Sequence, residues 1–193
     1  MEEFYSLQGE GYHTGSAAYF TRIGGCDVGC SWCDIKESWD ASKYPPVDVD
    51  KIVRNAAIAE AKAVVVTGGE PLLYNLDYFC RELKKAGIKT YLETSGSSPL
   101  SGEWDWICLS PKKHAPPLPE ICSLANELKV IIEEPEDFSW AEENIKYLNP
   151  VCLKYLQPEW SERETITPLI TEYIKKNPSW KISIQSHKFI GIP

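Results

Sequence analysis

The sequence predicts an α/β fold, an incomplete βα barrel of parallel strands spanning residues 1–193 as one domain. Three observations lead there. The run 63–67 (AVVVT) is short and β-branched, the mark of a buried parallel strand. Helical patterns separate successive strand patterns, which implies βαβ units. Motifs rich in Gly, Cys and Pro follow the strands, at the carboxyl ends where active sites of such sheets gather. About seven strands and four or five helices fit a partial barrel better than a full eight-fold one.

Taken in order, 17–23 reads as a first strand running into a cysteine-rich loop. Residues 49–61 have helical composition, and the 63–67 strand ends in TGGEP. A helix over 76–86 stops at Gly87, a C-terminal cap signal. The next strand, 88–94, ends in ETSG. Further strands are expected at 105–109, 128–132, 151–156 and 181–185, with helices at 135–148 and 162–176. SPKK follows the strand at 105–109, and QPEW follows a later one. The Pro-rich stretch 114–119 reads as a surface loop, and the segment FYSLQGEG at 4–11 as a Gly-rich N-terminal loop that caps the barrel. There is no internal repeat, low-complexity tract or linker.

A chain of 193 residues can bury a real core, and 43% hydrophobic with 25% charged residues is ordinary for a soluble protein. No apolar run approaches the roughly 18 residues of a membrane span. No signal peptide precedes the first motif, and seven cysteines, an odd number, suit a reducing cytosol. A net charge of −8 without a clustered basic patch argues against a nucleic-acid partner and for a small substrate.

The chemistry is carried by GGCDVGCSWCD. Cys26, Cys30 and Cys33 offer three thiolates from one loop in the spacing CxxxCxxC. An iron–sulfur cube normally takes four cysteines. Three leave one iron open to a further ligand, as in a catalytic metal site. A zinc site or three unrelated buried thiols is the alternative, but no second ligand pair lies nearby and His13 stands alone. Thr67-Gly68-Gly69-Glu70-Pro71 follows a buried strand, and Pro71 disfavours the helical region at Glu70, so exposed carbonyls could accept from an ammonium group. Taken alone, GGEP is also compatible with a simple turn. Arg22, at a strand end shortly before Cys26, suits a carboxylate; otherwise it forms a surface salt bridge. Cys80, Cys108, Cys122 and Cys152 read as small core hydrophobes. His13, His114 and His187 read as surface or structural, Glu133 and Glu134 as a solvated helix start, and Trp32 as a shield for a cluster.

CxxxCxxC with TGGEP resembles the radical S-adenosylmethionine superfamily. FYSLQGEG, Arg22, CSWCD and the ending SIQSHKFIGIP narrow that resemblance, over essentially the whole chain, to the 7-carboxy-7-deazaguanine synthase family. The resemblance implies a 4Fe–4S cluster on Cys26, Cys30 and Cys33, with the amino and carboxylate groups of S-adenosylmethionine on the open iron. It implies S-adenosylmethionine contacts at Gly69, Glu70, Glu93, Ser110, Pro111, Lys112, Gln157, Pro158, Glu159 and Trp160. It implies 6-carboxy-5,6,7,8-tetrahydropterin as substrate, met by Leu7, Gln8, Gly9, Glu10, Arg22, Thr67 and the terminal Pro193. A 5′-deoxyadenosyl radical would take hydrogen from C6 of the pterin, after which the ring contracts and ammonia leaves. An electron donor such as a flavodoxin and a homodimer are also implied. In the family an oxygen-bearing side chain two residues after the last cysteine ligates Mg²⁺. Here that position is Ile35, which has no oxygen to offer a hard cation. Weak Mg²⁺ dependence, or a substitute ligand such as Asp34, Thr67 or water, is therefore expected. A glycyl-radical activating enzyme, or a non-catalytic iron–sulfur or zinc protein, is the alternative; FYSLQGEG argues against the former and TGGEP against the latter.

Overall fold

The computed structural model describes residues 1–193. Eight strands succeed one another in chain order: β1 (Glu2–Leu7), β2 (Ala17–Ile23), β3 (Ala63–Gly68), β4 (Lys89–Thr94), β5 (Trp106–Leu109), β6 (Glu127–Ile132), β7 (Leu153–Pro158) and β8 (Trp180–Ile182). They form one sheet in the same order, each strand beside its sequence neighbour. β1 is antiparallel to β2, and every later pairing is parallel. β1 and β8 do not pair, so the sheet curls without closing. Helices α1 (Val49–Ile58), α2 (Asp77–Lys85), α3 (Pro119–Leu124), α4 (Asp137–Ile145) and α5 (Arg163–Lys176) connect the parallel strands, and α6 (Ser186–Ile190) ends the chain. No helix is long and apolar enough to cross a membrane.

Period-two alternation decides which side chains face the helices and which face the lumen. On β3, Val64 and Val66 join a core with Ala56, Phe79, Cys80 and Leu83 beneath α1 and α2. Val65 faces the other way, packing with Ala18 and Phe20. On β6, Leu128, Val130 and Ile132 belong to the larger core, with Ile121, Ala141, Ile166 and Ile170 from α3, α4 and α5. Glu127, Lys129 and Ile131 then face inward. The helices thus cover one apolar layer, and the concave face mixes apolar side chains such as Phe4, Phe20, Val65 and Ile131 with polar ones.

The floor of the lumen is aromatic. Tyr12 stacks on Trp106 at 4.8 Å and His13 on Tyr91 at 4.4 Å between ring centroids. His114 Nε2 donates to the Val28 carbonyl at 2.7 Å, tying the cysteine loop to the segment after β5. Glu127 sits in the floor, 2% exposed, and its Oε2 accepts from the Tyr12 amide at 3.1 Å and Trp106 Nε1 at 3.2 Å. Its Oε1 is buried without a partner.

The structure departs from the sequence reading in several places. FYSLQGEG is not all loop: residues through Leu7 form an edge strand, registered Leu7 opposite Ala17. The helix expected over 49–61 ends at Ile58, where Ala59 turns extended. The strand expected at 151–156 is shifted to Leu153–Pro158, so Gln157 and Pro158 lie within it rather than after it. The strand expected at 181–185 is only Trp180–Ile182, and the apolar tail beyond is the helix α6. α3 begins at Pro119, a favoured first helical position, where only a loop was expected up to that residue.

Burial raises the Glu127 pKa to about 7, the nearby Glu93 charge adding to this and Lys129 opposing it. A carboxyl raised in the fold favours the protonated folded state. Stability is therefore highest below the ordinary value of 4.5 and falls as pH rises from there to about 7. The loss is about 3 kcal/mol. Glu127→Gln should remove that component: denaturant titrations of parent and variant at pH 5 and pH 8 should differ mainly at pH 8, with the variant relatively more stable.

Candidate active site

The cysteine loop leaves β2 and is held by backbone bonds. The Gly25 amide donates to Ser38 O at 2.6 Å, Cys26 to Trp39 O at 3.2 Å and Cys33 to Cys30 O at 3.1 Å. The end of β3 is strapped to it: Gly69 N donates to Ile23 O at 2.9 Å and Glu70 N to Gly25 O at 2.8 Å. A Cβ on Gly69 would stand 1.9 Å from the Gly25 carbonyl oxygen. The glycine is thus required by contact between two loops, beyond any approach to a ligand. Glu70 is extended (φ −116°, ψ 106°), as Pro71 requires.

All three sequence-predicted cysteines line one cavity of about 170 Å³ together with Trp32, Gly68, Gly69, Ser110 and Lys112. Lys112 Nζ donates to Ser110 Oγ at 2.7 Å and lies 5.3 Å from the Trp32 ring centroid. Burial lowers the Lys112 pKa, and its charge in turn opposes the burial that raises the Cys30 thiol. No three His, Cys, Asp or Glu side chains converge closely enough for one metal ion. Three thiolates that each bind a different iron of a cube need no such convergence, so the donor set fits a 4Fe–4S cluster and not a mononuclear zinc site. Cys80, Cys108, Cys122 and Cys152 are buried and unpaired.

A second cavity, of about 340 Å³, opens from the first; both are lined by Trp32, Cys33, Asp34, Thr67, Gly68 and Glu93. Leu7, Gln8, Gly9, Glu10, Arg22 and Pro193 all line it, as do Gln157, Pro158, Glu159 and Trp160. Arg22 combines both of its expected environments. Its Nη1 lies 2.8 Å from Glu2 Oε1, while its Nε is buried with no partner. Lys129, Gln185, His187 and Lys188 also line the cavity, and sequence reading assigned them no part in it. Lys129 Nζ lies 2.6 Å from Glu10 Oε2 and 2.9 Å from Glu93 Oε2. Gln8 Nε2 donates to Glu93 Oε1 at 3.1 Å and Gln185 Nε2 to Glu10 Oε1 at 2.8 Å. Burial alone would raise the Glu10 pKa, but the Lys129 charge and the hydrogen bonds from Lys129 and Gln185 hold it at about 2. A Cβ on Gly9 would stand 2.1 Å from His187 Nδ1, so glycine lets that ring pack at the cavity wall.

Several expected cofactor contacts have side chains already engaged. The Glu70 carboxylate is buried and accepts from Thr94 Oγ1 at 2.6 Å, Ser95 N at 2.8 Å, Ser95 Oγ at 2.5 Å and Leu72 N at 3.1 Å. Glu159 accepts from Ser161 N and Oγ and from Glu162 N ahead of α5. Gln157 Oε1 accepts from Ser183 Oγ at 2.7 Å. These residues can meet a ligand through backbone groups. The Trp160 ring is flanked by the Arg163 guanidinium at 4.3 Å and Lys188 Nζ at 4.9 Å. Pro111 is buried next to Lys112 in the chain, after β5, and is absent from the lining of both cavities.

Of the residues expected near a Mg²⁺ ion, Asp34, Ile35 and Thr67 all line this cavity. Ile35 lines it without an oxygen, and Asp34 Oδ2 is paired with Lys188 Nζ at 2.9 Å and accepts from Gln185 Nε2 at 3.4 Å.

An open parallel barrel with three thiols and a glycine strap at its mouth defines a radical S-adenosylmethionine enzyme, and the Radical SAM superfamily pattern matches residues 20–110. The 7-carboxy-7-deazaguanine synthase of Flavobacterium psychrophilum is 53% identical over 193 residues, covering all of this chain and 91% of the relative. That of a Synechocystis strain is 48% identical over 191 residues, 99% of this chain and 91% of the relative. A crystal structure of QueE from Escherichia coli superposes with a TM-score of 0.84 at 30% identity, covering 96% of this chain and 92% of that one. The chain belongs to the 7-carboxy-7-deazaguanine synthase family.

The cysteines separate by position, Cys26, Cys30 and Cys33 lining the smaller cavity and the other four buried away from it. Cys26→Ala, Cys30→Ala or Cys33→Ala should lose cluster iron and 5′-deoxyadenosine formation. Cys80→Ala, Cys108→Ala, Cys122→Ala or Cys152→Ala should keep both and lower stability by about 1 kcal/mol. Iron assay and thermal melting of anaerobically reconstituted variants check this; full iron loading in Cys30→Ala would refute it.

Proposed function

We propose that this chain converts 6-carboxy-5,6,7,8-tetrahydropterin to 7-carboxy-7-deazaguanine with release of ammonia, in deazapurine and queuosine synthesis. The observation that carries the reading is the continuity of the two cavities, thiols lining one and a carboxylate-rich polar lumen the other. The cluster and S-adenosylmethionine, when bound, supply a 5′-deoxyadenosyl radical. The protein's part is to bind, aim and exclude water. Cys26, Cys30 and Cys33 hold the cluster. Gly69, Glu70, Ser110, Pro111, Lys112 and the segment from Gln157 to Trp160 hold S-adenosylmethionine, the engaged carboxylates fixing their own loops, while Glu93, expected among these contacts, lines both cavities and is tied by Gln8 and Lys129 to the pterin side. Gln8, Gly9 and Glu10 offer amide, backbone and carboxylate groups to the pterin, with Leu7 and Thr67 beside them. Arg22 takes the substrate carboxylate, its buried Nε gaining a partner.

An electron donor of the flavodoxin kind delivers the reducing electron, the protein works as a homodimer, and it resides in the cytoplasm, where its unpaired thiols stay reduced. Anaerobic reconstitution with iron, sulfide, reductant, S-adenosylmethionine and the carboxypterin tests the core reading. Both 5′-deoxyadenosine and the deazaguanine product should form; 5′-deoxyadenosine without that product would overturn the substrate assignment. Because the site offers Mg²⁺ no oxygen at Ile35, adding Mg²⁺ or EDTA to the same assay should change turnover little. A steep rise with Mg²⁺ would show that another ligand set completes a metal site.

Pro193 lies in the wall of the cavity. Gly191 takes a left-handed conformation (φ 68°), Ile192 N donates to His187 O at 3.2 Å, and Pro193 reaches the lining. Proline has no N–H, so a carboxyl oxygen is the group Pro193 can offer to the pterin's donor edge. Deleting Pro193, or extending the chain past it, should weaken substrate use by about ten- to hundredfold. Iron content and S-adenosylmethionine binding should be unaffected. Steady-state kinetics on a C-terminally tagged protein decides this.

A further inference from the structure

Lys129 is a lysine in the middle of a buried strand, 4% exposed, with its stem between Glu127 and Ile131 on the concave face. Its ammonium meets one oxygen of Glu10 and one of Glu93, at 2.6 Å and 2.9 Å. The second oxygen of each carboxylate is held by a glutamine amide, Gln185 on Glu10 and Gln8 on Glu93. Each carboxylate oxygen retains acceptor capacity after these bonds, and the ammonium retains one of its three donors. Two carboxylates that share one ammonium carry a net single negative charge, and removing the ammonium leaves buried negative charge uncompensated.

We propose, resting on the carboxypterin reading above, that Lys129 is a positioning residue that holds the Glu10 and Glu93 carboxylates and aims them at the donor edge of the substrate. Neutral pterin N–H groups need acceptors. If one carboxylate of the pair took a proton, it would present a donor where an acceptor is required. The groups facing Lys129 agree with this role. Cys108, Glu10, Glu93 and Glu127 all raise its pKa against the burial that would lower it, so it stays charged. Lys112 and His187 lie on its other sides, and His13 faces Glu93. Among these, burial lowers both histidines, which keeps further positive charge out of the lumen near neutral pH.

The test compares the parent with Lys129→Met, which keeps the length and removes the charge, and Lys129→Gln, which keeps a donor without the charge. KM and kcat for the carboxypterin are measured from pH 6 to pH 9, alongside iron content and the substrate-independent formation of 5′-deoxyadenosine. KM should rise by about ten- to hundredfold at pH 7.5 in both variants. It should also vary with pH across that range, while the parent's KM stays flat. Iron content and substrate-independent 5′-deoxyadenosine should match the parent. If Lys129→Met does not fold, Lys129→Gln carries the same readouts. A variant with normal iron whose KM is raised but flat in pH, or unchanged, overturns the positioning role while the substrate assignment stands. A parent that makes no deazaguanine product removes both.

Discussion

The hydrogen bonds from Ser186 N and Oγ to the Gly9 carbonyl, with that from the Gly11 amide to Ser183 Oγ, span the gap between β1 and β8. An unclosed sheet has two edges, and here both border the lumen. The segment after β1 supplies Gln8, Gly9 and Glu10, while the segment after β8 supplies Gln185, His187, Lys188 and Pro193. Gln8 is still held by its own hairpin, its amide donating to Ser16 O and its carbonyl accepting from Gly15 N, both at 2.8 Å, and the contact between the segments begins at Gly9. Each is positioned by the other, so the two ends of the chain must meet before the cavity has walls. Gly9 sits at the tightest point of that meeting, where any side chain would enter the His187 ring.

The lumen solves a second problem, that of charges removed from water. An isolated ion there would be costly, and paired ions recover the loss only with good geometry and further hydrogen bonds. Lys129 answers two carboxylates, and each carboxylate also receives an amide. Lys188 answers Asp34, and Arg22 answers Glu2. The network is therefore balanced before any substrate arrives, with acceptor capacity left over on Glu10 and Glu93. Glu127 is the exception. It lies below the network, has one oxygen without a partner and gains most from protonation.

What could be read from the chain was whatever the backbone plan announces locally. The cysteine spacing, the β-branched run before TGGEP and the turn residues after each strand are short-range signals, and the structure gathers Cys26, Cys30, Cys33, Thr67 and Glu93 at one mouth. β1 was hidden because a six-residue half-exposed edge strand beside a glycine cluster has the look of a loop. α6 was hidden because its five residues are too few to show a helical period. Lys129 was hidden for a different reason. In ELKVII a single lysine inside an apolar strand reads as the exposed face of an alternation, and only the curl of the sheet turns that face into a lumen. The signal that could have found it is the oddity of a charge within a strand otherwise buried on both sides.

The same contrast explains why two residues with motif credentials do different work from their neighbours. Glu70 and Glu159 sit in segments expected to hold S-adenosylmethionine, yet each carboxylate is saturated by donors of its own loop. Glu70 binds the end of β4 to the end of β3, and Glu159 collects the amides that lead into α5. Anions at these places leave the adjoining backbone carbonyls and amides rigid and outward. A ligand with an ammonium, a carboxylate and a nucleoside can be recognised by such a backbone without side chains that would have to reorganise. Acceptor capacity that no loop of its own saturates is left on Glu10 and Glu93, in the wall of the lumen.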